Sequence, residues 1–93
     1  MSIAQRNHHE TSDSYAGVIA RLCPRHRVII CRDGIQLITQ RRKNGGAERP
    51  WRSLRYFRTR EALMRFCATL CERVDPAAWA ALATLPDIIG GSS

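Results

Sequence analysis

The side chains best suited to chemistry are arginines, and they are crowded into one part of the chain. Between residues 21 and 60 there are twelve Arg or Lys against only Asp33 and Glu48, a local net of +10. Residues 1–20 carry -1 and residues 61–93 carry -2, so the overall +7 and the pI of about 10.3 belong to the middle of the chain. Fourteen of the fifteen cations are arginine, with Lys43 the exception. A guanidinium fork matches phosphate, base edges and carboxylate alike. The field therefore favours a polyanion or an acidic protein surface without choosing between them.

The other reactive types give less. Cys67 and Cys71 lie four apart, Cys23 precedes the first predicted strand and Cys31 sits within it. No Cys-x-x-Cys knuckle is present and Cys67 falls on an apolar stripe, so all four read as buried free thiols, with convergence of the four on zinc as the lesser alternative and a disulfide behind it. His26, between Arg25 and Arg27, suits anion contact better than an oriented base. Asp33 belongs to a turn, Glu61 and Asp75 to helix starts and Glu48 to a loop, which leaves no carboxylate pair for acid-base or two-metal work. A non-enzymatic chain without cofactor is expected. His8 and His9 read as solvated residues of a loose terminus, and Gly45-Gly46 lacks the Lys-Ser or Lys-Thr of a phosphate loop.

These residues must be positioned by a small fold. Ninety-three residues allow one domain, and 44% hydrophobic with 25% charged residues is a globular composition. The pattern predicts an α+β domain over 14–89, flanked by flexible tails at 1–13 and 90–93. Strands are expected at 27–32, 35–41 and 51–57 in a three-stranded antiparallel sheet. Asp33-Gly34 supplies a two-residue hairpin turn that pairs Ile30 with Leu37 and Ile29 with Ile38. One face then carries Val28, Ile30, Ile35, Leu37 and Thr39 and should meet a helix. The other carries Arg27, Ile29, Cys31, Gln36, Ile38 and Gln40, an apolar centre with a basic margin. In the third strand, Trp51, Ser53, Arg55 and Phe57 alternate with Arg52, Leu54, Tyr56 and Arg58, and the pattern leaves either set free to face the core.

Thr59 caps a helix over 60–74 with Leu63, Phe66, Cys67, Leu70 and Val74 on one stripe. Asp75-Pro76 opens a second short helix, 76–85, that Pro86 ends. Residues 15–22 carry helically spaced Tyr15, Val18, Ile19 and Leu22, and read either as a short N-terminal helix or as an extended lead-in. The loop 42–50 is long and glycine-rich. No signal peptide or membrane-length apolar run is evident, so a cytoplasmic protein with reduced thiols and no membrane contact is expected.

The junction from Tyr56 through Phe57, Arg58, Thr59, Arg60, Glu61, Ala62 and Leu63 resembles the strand-to-helix junction of the three-stranded-sheet DNA-binding domains of phage-type tyrosine integrases and plant ethylene-response factors. Phe57, Thr59, Glu61 and Ala62 match that pattern within residues 27–74. The resemblance implies a sheet that enters the major groove with a helix behind it. It also implies readout by Arg27, Arg52, Arg55 or Arg58 and Gln36 or Gln40. The chain also looks like the short proteins of bacterial mobile elements, which include inhibitors of host nucleases and of RNA-guided defence.

Two functions therefore stand. The first is a duplex DNA-binding module, DNA being preferred over RNA. It would use Arg27, Gln36, Gln40, Arg41, Arg42, Lys43, Arg52, Arg55 and Arg58, with Trp51 and Tyr56 as aromatic contacts. The second is a protein-interaction module, a mobile-element inhibitor docking this basic surface on an acidic partner, motivated by the Ile29 and Ile38 pair. A homodimer is compatible with either.

Overall fold

The computed structural model describes residues 9–43 and 50–89. It corrects the expected sheet: four antiparallel strands run in the order β1-β2-β3-β4, as β1 (Val18–Cys23), β2 (His26–Ile30), β3 (Leu37–Arg42) and β4 (Trp51–Phe57). Two helices follow, α1 (Arg60–Leu70) and α2 (Pro76–Ala83). The predicted loop glycines Gly45-Gly46, residues 1–8 of the predicted N-terminal tail and the predicted C-terminal tail 90–93 lie outside the described residues. None of the helices described is long and apolar enough to cross a membrane.

The added strand is β1, where the sequence also allowed a helix. Ala20 and Leu22 are buried while Arg21 between them is exposed. That is the two-residue period of a strand, and helical spacing of Tyr15, Val18, Ile19 and Leu22 mimicked it over one short window. What decides is the partner: the outer edge of β2 offers a row of unpaired backbone groups, and β1 satisfies them through Val18–Ile29, Ala20–Val28, Arg21–Arg27 and Cys23–His26. Pro24 and Arg25 make the turn that joins β1 to β2.

The β2–β3 register is the expected one, with Ile30 opposite Leu37, Ile29 opposite Ile38 and Val28 opposite Thr39. The turn itself is wider. Gly34 has φ +72° but among the described residues no non-glycine has positive φ, which excludes the two-residue turn in which Asp33 would also need it. Cys31 N–H instead donates to Gln36 O at 3.0 Å, closing four residues.

β4 resolves a choice that strict alternation could not. Thr39 lies opposite Arg55 and Gln40 opposite Ser53, so Leu54 is an extra residue, a bulge. Both alternating sets in the sequence reading assumed no bulge. With it, Trp51 and Ser53 join one face of the sheet while Arg55 and Phe57 join the other. Phe57 packs on Phe66 of α1 at a ring separation of 5.5 Å, and Trp51 is buried on the opposite side.

The helices cover the face bearing Leu22, Val28 and Leu37, and Leu63, Cys67, Ala78, Leu82 and Ile89 complete this core. Each fully buried leucine contributes about 1.5–3 kcal/mol. Thr59 Oγ1 accepts from Ala62 N–H at 3.3 Å and caps α1, and Asp75 accepts from Ala77 N–H at 2.9 Å before Pro76 of α2. Both helices are shorter than predicted. α1 ends at Leu70, because Cys71 is already extended and Asp75 N–H reaches back to Leu22 O at 2.9 Å. α2 ends at Ala83, where Thr84 turns its hydroxyl and N–H onto Ala81 O.

The second face is not open. Tyr15 lies over Ile29, Cys31 and Ile38, both isoleucines are 0% exposed, and the tyrosine hydroxyl donates to Ile30 O at 2.8 Å. Gly17 permits this fold-back: a Cβ there would stand 2.6 Å from the Tyr15 ring and 2.9 Å from Ile30 O. The described end of the segment expected to be a flexible tail, residues 10–13, is tied to the sheet as well, through Glu10, Ser12 and Asp13.

Candidate functional site

The arginines divide into two populations. Arg27 is 0% exposed. Its Nε donates to Gln40 Oε1 at 2.8 Å and its Nη2 to the carbonyls of Glu10 at 3.1 Å and Ser12 at 2.9 Å. The guanidinium lies 4.3 Å from the Trp51 ring centre, a cation-π contact in a desolvated setting. Burial pulls its pKa down to about 10, with Arg21 adding repulsion, so it remains a cation at neutral pH. Its Nη1 has no hydrogen-bond partner among the described residues.

Gln40 completes this network by donating to Glu10 O at 3.0 Å and Ser53 Oγ at 3.2 Å, and the Trp51 indole donates to Asp13 at 3.0 Å. Asp13 also pairs with Arg42 at 2.8 Å. The Trp51 hydrogen bond, then the one from Arg42, hold the Asp13 carboxyl below its usual range. Arg27, Gln40 and Trp51, expected as surface contacts, are therefore interior residues. Their polarity serves the closure of the second face.

The other population lies at the β3–β4 end of the sheet. Arg41, Arg42, Lys43, Arg52, Ser53 and Leu54 line an open recess of about 460 Å³. Arg41 and Arg52 are directly opposed across the two strands, and both are exposed. Like charges in that position repel. Arg55 continues the row on the same face, its guanidinium 5.1 Å from the Phe66 ring, and exposed Arg58 follows the strand. Arg41, Lys43, Arg52, Arg55 and Arg58 have no carboxylate partner among the described residues, where the ion pairs are Arg42–Asp13, Arg60–Asp87 and Arg65–Glu61.

β4 is also an outer strand of the sheet, with Leu54 37% and Tyr56 56% exposed beside these cations. Gln36 is only half-buried but belongs to the β2–β3 turn, at the opposite end of β3 from the recess. The structure thus gathers Arg41, Arg42, Lys43 and Arg52, extends them with Arg55, Tyr56 and Arg58, and detaches Arg27, Gln36, Gln40 and Trp51.

The cysteines divide too. Cys67 is buried in the helix-side core, where burial pushes its thiol up to about 12, and Cys31 is buried under Tyr15. Cys23, at the end of β1, and Cys71, just past α1, are half-buried and flank His26 at the start of β2. Cys23 Sγ is 3.3 Å from His26 Nδ1 and 2.9 Å from Cys71 Sγ, and Cys71 Sγ is 3.6 Å from the same nitrogen. Burial and then the contact with Cys23 push the Cys71 thiol up to about 12. Burial, then Arg41 and Arg25, lower the His26 pKa.

No Cys-x-x-Cys marks this trio in the sequence. The available signal was Cys23-x-x-His26 with a proline between, the spacing of a tight turn carrying two ligating side chains. Cys71 is 45 residues further on, and no local signal connects it. Comparison of the chain with protein-family models, curated proteins and solved structures finds no match.

Proposed function

We propose that this chain is a non-enzymatic module that binds nucleic acid, duplex DNA in the first place, through the β3–β4 end of its sheet. The observation that carries the reading is the opposed pair Arg41 and Arg52 on an open recess with Arg42 and Lys43. A directly opposed pair of exposed arginines costs stability in the free chain, and a phosphate between them would turn that repulsion into two charge-assisted hydrogen bonds. Arg55 and Arg58 prolong the cationic row, and exposed Tyr56 offers a ring to a sugar or base.

The mode differs from groove entry by an open sheet face. Helices cover one face and the segment before β1 covers the central part of the other, so contact runs along the outer strand and is dominated by phosphate. Affinity that depends weakly on sequence and strongly on salt follows. The protein-interaction alternative loses its motive, because the Ile29 and Ile38 pair that would have formed an apolar centre is covered by Tyr15.

Duplex binding measured over a salt series tests this. Five phosphate contacts give a log-log slope of about -4 to -5. Changing both Arg41 and Arg52 to Ala should weaken binding at low salt and reduce the slope by about 2, with the melting temperature held or slightly raised because both are exposed and their mutual repulsion is gone. Absence of duplex binding at low salt, with capture of an acidic protein by the same arginines, overturns it.

A further inference from the structure

We propose that Cys23, His26 and Cys71 form a zinc site that clips the β1–β2 hairpin to the end of α1 and leaves one coordination position for solvent or an added ligand. The inference is independent of nucleic-acid binding. Among the described residues this is the one group of three Cys, His or carboxylate side chains whose ligand atoms all lie within 4.8 Å of one another.

Two features of the chain build the trio. Cys23 and His26 are cross-strand partners on either side of the Pro24-Arg25 turn, so a ring and a thiol emerge side by side. Cys71 reaches them because α1 stops at Leu70, where a helix continuing along its apolar stripe would have carried this residue elsewhere. Its backbone is extended, φ -126° and ψ 140°.

The distances suit a shared atom. With zinc-sulfur bonds near 2.3 Å and zinc-nitrogen near 2.0 Å, tetrahedral ligands stand about 3.5 Å apart for sulfur and nitrogen and about 3.8 Å for two sulfurs. The two sulfur-nitrogen separations, 3.3 and 3.6 Å, bracket the first value. The sulfurs, at 2.9 Å, need to part by less than an ångström as the ion enters. Two thiolates and an imidazole select a borderline-soft ion such as zinc over magnesium or calcium.

Charge agrees as well. Two thiolates cancel the two charges of the ion, so the loaded site adds no charge beside Arg25 and Arg41. Binding would release protons to solvent as the sulfur-metal bonds form, with no change in oxidation state. In a domain this small, a link between the sheet and α1 adds stability that its limited core supplies sparingly.

The test uses the whole chain, purified under reducing conditions and titrated with Co2+ alone as an optical probe for zinc. One equivalent should bind with thiolate-to-cobalt charge transfer and tetrahedral visible bands, and Zn2+ should displace it. Cys71→Ser and His26→Asn should each weaken binding by more than about 100-fold, the range that loss of merely supporting contacts already reaches. Cys31→Ala should leave it unchanged. His26→Cys guards against a misfolded variant: it should restore binding and strengthen the charge-transfer band with a third sulfur. Failure of the reduced chain to bind a stoichiometric ion overturns the proposal. So does a cobalt spectrum indifferent to Cys71→Ser, or a Cys23–Cys71 disulfide in a chain that ignores cobalt once reduced.

Discussion

The two faces of the sheet are closed by different physics. The helix side is sealed by Leu22, Val28, Leu37, Leu63 and Leu82, all 0% exposed, with Ala20 and Ala78 letting the backbones approach. The other side is sealed by a segment without regular structure. Its apolar part is small, Tyr15 over Ile29, Cys31 and Ile38, and the rest is a polar network of Arg27, Gln40, Trp51 and Asp13 with the carbonyls of Glu10 and Ser12. Apolar burial is non-directional and tolerant of pH, whereas a buried cation held by carbonyls and a ring depends on every partner being present. The helix side should therefore carry global stability, and the other side should govern local opening of the first residues.

The largest effect expected from this contrast is on the helix side. Leu63→Ala should cost about 2–5 kcal/mol through lost burial and a residual cavity, measured by chemical denaturation of the whole domain. A cost below that of any change on the second face would invert the comparison.

Arg27→Met comes next. It keeps apolar bulk against Trp51 but leaves Gln40 Oε1 without its donor and takes one of two donors from each of the carbonyls of Glu10 and Ser12, which keep Gln40 Nε2 and Tyr15 N–H, at a cost of about 1–3 kcal/mol. Hydrogen exchange should quicken in residues 10–17 while α1 stays protected. A more stable variant would mean that the buried cation burdens the fold, as some buried ions do.

Asp13→Asn should have the smallest effect, about 0.5–1 kcal/mol, because the carboxylate is exposed and screened. Its value lies in pH. The Trp51 and Arg42 hydrogen bonds lower the folded pKa of Asp13 below the ordinary 3.8, so the latch is fully present above that value and is lost as pH falls through the folded one. Thermal melts from neutral pH down to about pH 3 should show a flatter acid limb in the variant than in the natural chain.

What the sequence made legible follows short-range rules. The β2–β3 register came from alternating apolar residues around Asp33-Gly34, and the starts of both helices came from Thr59 and Asp75-Pro76, since caps and periodicity act over a few residues. What it hid was long-range. β1 was ambiguous because a six-residue window fits two periods, and only the free edge of β2 chose between them. The facing of β4 turned on one bulged residue, Leu54, whose position is set by pairing with β3. The burial of Arg27 was invisible because an arginine reads as surface until a segment folds over it and supplies carbonyls and a ring.

The candidate sites follow the same rule. Arg41, Arg42, Lys43 and Arg52 flank one loop, so their proximity could be read from connectivity alone. Cys23 and His26 share a turn that the sequence spells out, but Cys71 joins them only because α1 ends early and the chain is drawn back to β1. The sequence by itself determined the charge segregation, the hairpin register and the helix caps, which rest on composition and local backbone chemistry. Tertiary structure alone decided which arginines are buried, which face each residue of β4 takes and which thiols meet, because those outcomes depend on contacts between segments that the chain brings together only on folding.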